Sequence, residues 1–437
     1  MGPSFGGMMT LEMIVAAAIF FACFFLLFSE KIHRSIIAAA GATLMTTAGL
    51  MLGFYSEEKA LHAIDFETVG LLLGMMILVV LLERTGFFRY LAVWAGKLSH
   101  GKPAILLILM STITALLSMF LDNVTTIVLI APVTILICEI LDINAAPILM
   151  SEALLSNTGG TATLVGDPPN ILIGTAANFS FNDFLLHSLP VILICMFSAV
   201  VLLLFLFREE LSSPPLYEEI ALKLNFNQTI EDKSSVKKVL SSLILAIVLF
   251  FLQDKLTISP AFIALSCSAL AMIWINPPIE EILQKIEWSV LIFFMGIFVM
   301  VGGLESSGIL RLLSNMLVKL NFLPPVALGV LLIWIIALLS AFVDNIPITI
   351  AMIPVIEGLS KTGLNITPFW WALVFGAGLG GNATIIGSTA NIIVASLSDK
   401  TRSPITTTMW NKRGLPVMLV TCSIASILYT IFFEWFK

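Results

Sequence analysis

Charge is what this sequence has least of. Only 11% of its 437 residues are Asp, Glu, Lys or Arg, against the roughly 25% that keeps a soluble domain solvated. A net charge of −6 gives no reason to expect a nucleic-acid partner. Cysteine is sparse as well: Cys23, Cys138, Cys195, Cys267 and Cys422 stand singly in apolar stretches. With no Cys-x-x-Cys pair and no His/Cys spacing suited to a metal, they read as small buried hydrophobes, and no metal or cofactor is expected. No Ser/His or zinc constellation occurs, and Thr163-Leu164-Val165-Gly166-Asp167 lacks the Gly-x-Gly-Asp of aspartyl intramembrane proteases, so the chain is not read as an enzyme. An ATP-binding motif is missing too, which leaves a separate ATPase partner compatible with the sequence. Met1–Thr10 holds no basic residue, and the apolar run after it is read as a retained helix rather than a cleaved signal peptide.

What is present is apolar: 59% of the residues are hydrophobic. Runs of about 20 residues recur, each long enough to cross a ~30 Å hydrocarbon core as a helix. Their continuity, without alternation, excludes a β-barrel. Spanning helices are predicted near 11–28, 35–54, 66–83, 145–176 (interrupted) and 184–207, then near 238–253, 259–277, 288–304, 366–395 (interrupted) and 414–436. Two further apolar blocks, 104–141 and 323–363, are each split by a polar centre around Asp122-Asn123 and Asp344-Asn345. Both read as re-entrant helical hairpins, because irregular backbone at membrane depth is tolerated only where protein covers it or a cavity is lined by it. The segments 84–102 and 306–322 mix aromatic and basic residues and read as amphipathic helices along the membrane faces.

The two halves align at a near-constant offset. Adding 222 carries Glu83, Gly86, Arg89, Asp122, Asn123 and Pro132 onto Glu305, Gly308, Arg311, Asp344, Asn345 and Pro354. An offset of 221 carries Gly160, Ala162, Thr163, Gly166 and Asn170 onto Gly381, Ala383, Thr384, Gly387 and Asn391. Five crossings in each half would place the second repeat upside down relative to the first. The expected fold is therefore an all-α polytopic membrane protein of two inverted repeats, 1–207 and 238–437, joined by a cytoplasmic linker over 208–237. Of 22 basic residues, only Lys59, Lys255, Arg311, Lys319, Lys361 and Lys437 then lie outside. That count agrees with the positive-inside rule for an inner (plasma) membrane protein with both termini periplasmic.

Inverted repeats with broken helices point to a transport site at the midplane. Four segments qualify: the two hairpin tips and the stretches Gly159–Asn170 and Gly380–Asn391. Their glycines free backbone groups, and Thr161, Thr163, Asn170, Asn382, Thr384, Ser388, Thr389 and Asn391 add neutral oxygens and amides. Asp122, Asp167 and Asp344 are costly at this depth and imply a proton or cation pathway, with Asp122 and Asp344 expected to exchange protons. The same residues also suit helix capping: Asp122 and Asn123 precede a helix, and Asp167 precedes Pro168-Pro169. Ser156-Asn157-Thr158 could line the cavity, whereas Glu152 reads as lying near the cytoplasmic mouth. Glu83 and Glu305 read as ion-pair partners of Arg84 and Arg311, and His187 as interfacial.

The stretches LDNVTTIVLIAPVT, GGTATLVGDPPNILIG and VDNIPITIAMIPV resemble the ion transporter superfamily. Specifically they resemble its arsenite-pump and NhaD-type permease branch, which includes the melanosomal P protein, and more distantly the sodium–dicarboxylate carriers. The resemblance spans essentially the whole chain. It implies a homodimer with a scaffold part and a transport part that moves like an elevator. It also implies a site formed by Asp122, Asn123, Thr125 and Thr126, by Asp344, Asn345 and Thr349, and by the runs Gly160–Asn170 and Gly381–Asn391. Sodium–dicarboxylate carriers place Ser-Asn-Thr at both tips, where this chain has Asp. A carboxylate substrate would meet two acidic side chains and no basic one, which argues against citrate and succinate.

These residues are read as a proton-coupled efflux antiporter for arsenite or antimonite, a small inorganic solute with a neutral hydroxylated form. The alternatives are a sodium–proton antiporter, a cation-coupled anion uptake carrier and a passive channel.

Overall fold

A computed structural model describes residues 10–29, 32–212, 232–309, 324–360 and 363–437. The described chain is helical, with no β-strand among these residues. In order it forms α1 (Leu11–Ser29), α2 (Arg34–Leu52), the short α3 (Glu57–Ala63), α4 (Phe66–Arg84), α5 (Phe87–Leu98), α6 (Pro103–Ser118) and α7 (Asn123–Ile140). There follow α8 (Ala145–Gly160), α9 (Pro168–Ala177), α10 (Phe181–His187), α11 (Leu189–Leu206), α12 (Lys233–Leu256), α13 (Pro260–Ile275), α14 (Ile279–Lys285) and α15 (Trp288–Ser307). The last are α16 (Pro325–Ser340), α17 (Asn345–Ser360), α18 (Thr367–Gly380), α19 (Thr389–Ser398) and α20 (Thr407–Ile431). Seven of these helices are long and apolar enough to cross a membrane, among the described residues. Met51, Phe197 and Ile273 are among the many large apolar side chains left on the outer surface, as expected where lipid is the solvent.

Most predicted spans are found within a few residues. The exceptions have local causes. α12 starts at Lys233, inside the expected linker, because Asp232 caps it through the backbone N–H of Ser234. The expected 184–207 helix divides at Ser188, where α10, opened by a Ser180–Asp183 capping box, gives way to α11 with Pro190 in its first turn. The last span begins at Thr407, not 414, and ends in a 3-10 turn, Phe433–Phe436. The amphipathic helix expected over 84–102 is α5. Its mate over 306–322 falls mostly outside the described residues, as do Arg311 and most of the 208–237 linker.

Packing laces the two halves together. α2 lies on α15, and α4 on α13. Each crossing is closed by a glycine. A Cβ on Gly74 would sit 2.5 Å from the backbone carbon of Ala264, and one on Gly296 would sit 2.7 Å from the carbonyl of Ala38. The tightest remaining pairings are α6 with α8, α16 with α18, and α11 with α20. The first two press each hairpin against the broken helix that follows it. All five cysteines are free and buried.

Candidate functional site

The breaks between α8 and α9 and between α18 and α19 leave backbone groups without helical partners, and side chains from the same segments take them up. Asn170 Nδ2 donates to the carbonyls of Gly160 (3.0 Å) and Thr163 (2.8 Å). Asn391 Nδ2 donates to those of Gly381 (2.8 Å) and Thr384 (2.9 Å). The Thr163 hydroxyl donates to the carbonyl of Met119 and that of Thr384 to Ala341, so each break is tied to the last turn of the preceding hairpin arm. Ser118 Oγ reaches the Ser156 carbonyl and Ser340 Oγ the Ala377 carbonyl, both at 2.9 Å. The offsets seen in the sequence thus reappear in the hydrogen bonds.

These ties change the role of several expected lining residues. Thr161 donates to the Asn157 carbonyl and Thr349 to the Asn345 carbonyl. With Thr163, Asn170, Thr384 and Asn391 they hold the backbone, and Gly160, Gly166, Gly381 and Gly387 sit in contact with other backbone instead of a cavity. Thr126 is buried, also away from the cavity, with no hydrogen-bond partner among the described residues.

One residue joins the halves without a counterpart. Asn157 donates to Asn382 Oδ1 (3.0 Å) and Asn391 Oδ1 (2.9 Å) and accepts from Asn123 Nδ2 (3.2 Å) and Ser388 Oγ (3.0 Å). Asn382 Nδ2 completes the cluster on Thr158 Oγ1 at 3.1 Å. The position matched to Asn157 is Gly378, where a Cβ would strike Thr161. The cluster fixes the tip of the first hairpin to the second broken helix.

Beside it lies a cavity of about 20 Å³ lined by Asp122, Asn123, Asp167, Asp344, Asn345, Ser388 and Thr389, which are expected site residues, and by Arg34 and Glu287, which are not. That volume holds about one water-sized particle. Asp122 caps α7, accepting from the N–H groups of Val124 (3.1 Å) and Thr125 (2.9 Å) and from the Thr125 hydroxyl. Asp167 stands in the cap position of α9 but makes no capping bond. The capping expectation for it is therefore corrected: Oδ2 accepts instead from Asn345 Nδ2 across the cavity at 2.8 Å, and Oδ1 has no partner among the described residues. Asp344 accepts from Thr389 Oγ1 (2.8 Å), from the N–H of Asn345 (3.0 Å) and from Arg34 Nη1 (3.5 Å).

Arg34, counted above with the cytoplasmic basic residues, reaches the second tip, so the expectation that an anion would meet no basic group is also corrected. Nothing in the repeat pattern marks it, since Leu256 stands 222 positions on. Glu287 had a signal: 222 positions earlier stands Asp65, and each precedes a spanning helix.

Electrostatics follow from this list. The N-termini of α7, α9, α17 and α19 border the cavity and carry about half a positive charge each. With Arg34 they face Asp122, Asp167, Glu287 and Asp344, which leaves the ionised cavity roughly one unit negative. Glu152 is not part of it. It is fully buried between α7 and α8, accepting from Thr134 Oγ1 at 2.6 Å, and does not stand at a mouth. Glu83 pairs with Lys285 (2.8 Å) and Arg84 with Glu281 (3.0 Å), in place of the expected Glu83–Arg84 pair. His187 stacks on Trp371 and meets Trp435 at a tilt.

Known proteins resemble this chain. Residues 24–376 match the family model described as citrate transporter, CitMHS. A 46 kDa membrane protein of Mycobacterium leprae is 36% identical over 424 residues, covering 95% of this chain and 97% of its own. The human P protein is 30% identical over 503 residues, covering 96% of this chain, which in turn spans 60% of the P protein. The Alcanivorax borkumensis YdaH transporter superposes with a TM-score of 0.63 at 14% identity, over 92% of this chain and 99% of that one, a likeness of fold. A multi-pass helical chain with polar breaks meeting at a buried charged cavity, matched over most of its length by that family model, is a secondary transporter belonging to the citrate transporter (CitMHS) family.

Proposed function

We propose that the chain is a proton-coupled antiporter whose cargo is a small monovalent cation, sodium or lithium. The observation that carries this reading is the excess of carboxylate around a cavity of about 20 Å³. One bare alkali ion or one proton restores the charge balance, and either fits. The family description alone does not make citrate the cargo. In this reading Asp122, Asp167 and Asp344 receive the cation or the proton in turn, with Asn123, Ser388 and Thr389 as neutral oxygen donors.

A second reading keeps arsenite or antimonite efflux. Asn123, Asn345, Ser388 and Thr389 line the same cavity with neutral donors and acceptors suited to an uncharged trihydroxide, and the tip Asp344-Asn345-Ile346-Pro347 is similar to that of arsenite pumps. Under either reading, 1–207 and 238–437 act as inverted repeats in an inner (plasma) membrane with periplasmic termini, and a homodimer moves its transport part as an elevator.

The test is solute-driven proton movement in everted vesicles, read with a pH-sensitive dye against vesicles lacking the protein. Sodium, lithium, arsenite, antimonite and citrate are added in turn. Dequenching by sodium or lithium is expected. Dequenching by the metalloids alone would move the cargo to the second reading, and a response to none of the five would reject both.

A further inference from the structure

The two hairpin tips carry the same residues and use them differently. Asp122 takes all its hydrogen bonds from the first turn of its own helix. Asp344 is bound from outside, by Thr389 on α19 and by Arg34 on α2, and Arg34 Nη1 also donates to Thr389 Oγ1 at 3.1 Å. Arg34 is the first residue of α2. A cation there opposes the helix dipole, so helix stability does not explain its presence.

The pair is loosely held. Its 3.5 Å contact exceeds the 2.7–2.9 Å typical of a tight charge-assisted hydrogen bond. The guanidinium already lies 5.8 Å from the centre of the Phe293 ring, a face that attracts cations. A cavity of about 450 Å³, lined by Arg34, His33, Phe293, Phe342, Asp344 and Thr389 among others, gives the side chain room to swing. The charged and titratable groups facing it are Asp344 before α17, Glu287 before α15, Asp122 before α7 and Asp167 before α9 across the smaller cavity, and its own neighbour His33.

We propose that Arg34 is a tethered counter-cation that competes with the transported cation for Asp344. When the second tip is empty, the guanidinium occupies it and keeps the carboxylate compensated. When a cation enters between the tips, Arg34 withdraws towards Phe293. The cargo affinity is thereby set low enough for release, and Asp122, which has no such competitor, holds the cation on the other side. This inference rests on the cation reading above for its cargo, while the competition itself can be measured without transport.

The experiment titrates the thermal unfolding midpoint of the full-length, detergent-purified protein with sodium or lithium chloride, balanced by choline chloride at constant ionic strength. Arg34→Gln is expected to lower the half-saturating cation concentration at least fivefold. The gain should vanish in Arg34→Gln/Asp344→Asn, and Arg34→Lys should stay near the wild type. If Arg34→Gln does not purify, Phe293→Leu, which removes the ring that would receive the withdrawn guanidinium, should shift the titration the opposite way and raise the half-saturating concentration. In vesicles, Arg34→Gln should lower KM for the cation and also lower kcat, since tighter binding slows release.

A merely structural arginine would lower the midpoint without moving the titration. An unchanged half-saturation in Arg34→Gln, or a gain that survives the Asp344→Asn change, overturns the proposal. If the wild type drives no proton movement with sodium or lithium, the cargo reading falls. The Arg34→Gln titration still decides the competition, because freeing Asp344 should create a cation response whether or not the wild type transports one.

Discussion

Asn345, at the tip of the second helix pair, donates its side-chain amide to Asp167 at the first helix break, 2.8 Å away. A residue of the second half therefore completes the polar site of the first. Asn345→Leu strips the buried Asp167 of its hydrogen-bond donor, which should lower stability by about 1–3 kcal/mol. Exchange in vesicles should fall at least tenfold. Asn345→Asp, which would set two carboxylates face to face, should be worse in both respects than Asn345→Gln. Thermal unfolding and the vesicle dye assay measure the two effects separately.

Asn157 is a second link. Four side chains meet its amide. Asn157→Ala leaves them unsatisfied in a buried place, and the loss should reach about 3 kcal/mol or more, since each orphaned polar group costs roughly 1–3 kcal/mol. A melting temperature within a degree or two of the wild type would show that water replaces the amide without penalty.

Asp122 permits a cleaner separation of fold from function. Asn caps helices about as well as Asp, so Asp122→Asn should leave stability within about 1 kcal/mol while removing the charge. Asp122→Ala should forfeit both, with a capping loss of about 1 kcal/mol. Cation-driven proton movement should drop at least tenfold in each. Retained exchange in Asp122→Asn would exclude this carboxylate from the coupling path.

The scaffold can be tested at its closest approach. Gly296→Ala would place a carbon 2.7 Å from the backbone of Ala38, and since backbone yields little, overpacking of this kind costs about 1–3 kcal/mol. Gly70→Ala meets only the side-chain carbons of Ala261 and Leu265, 3.3 Å away, and should be milder. Comparing the two unfolding midpoints checks the order.

Helices and breaks were legible because lipid imposes a simple pattern: continuous apolar runs, interrupted only where Gly, Pro, Asp and Asn accumulate. The offset of 222 marked both tips, and Asp122, Asp167 and Asp344 do face one cavity. The sequence did not disclose which way each polar group turns. Thr163, Thr384, Asn170 and Asn391 looked like lining, yet they satisfy the backbone that the breaks expose. Arg34 was hidden for a different reason. Its partner lies 310 residues away and its matched position is leucine, so neither local pattern nor repeat could place it. Glu287 could have been found, because Asp65 holds the matched place before α4.

The lacing of α2 on α15 and of α4 on α13 has a consequence for biosynthesis. A ribosome adding roughly 5–20 residues per second needs on the order of 10–40 s to cross the 222 positions between matched segments. For that interval the glycine faced by Ala264 and the alanine faced by Gly296 sit in the bilayer without their partners. The nascent first half must wait, held by the insertion machinery or by lipid, and a chain cut after the first half should be degraded unless the second half is supplied alongside it.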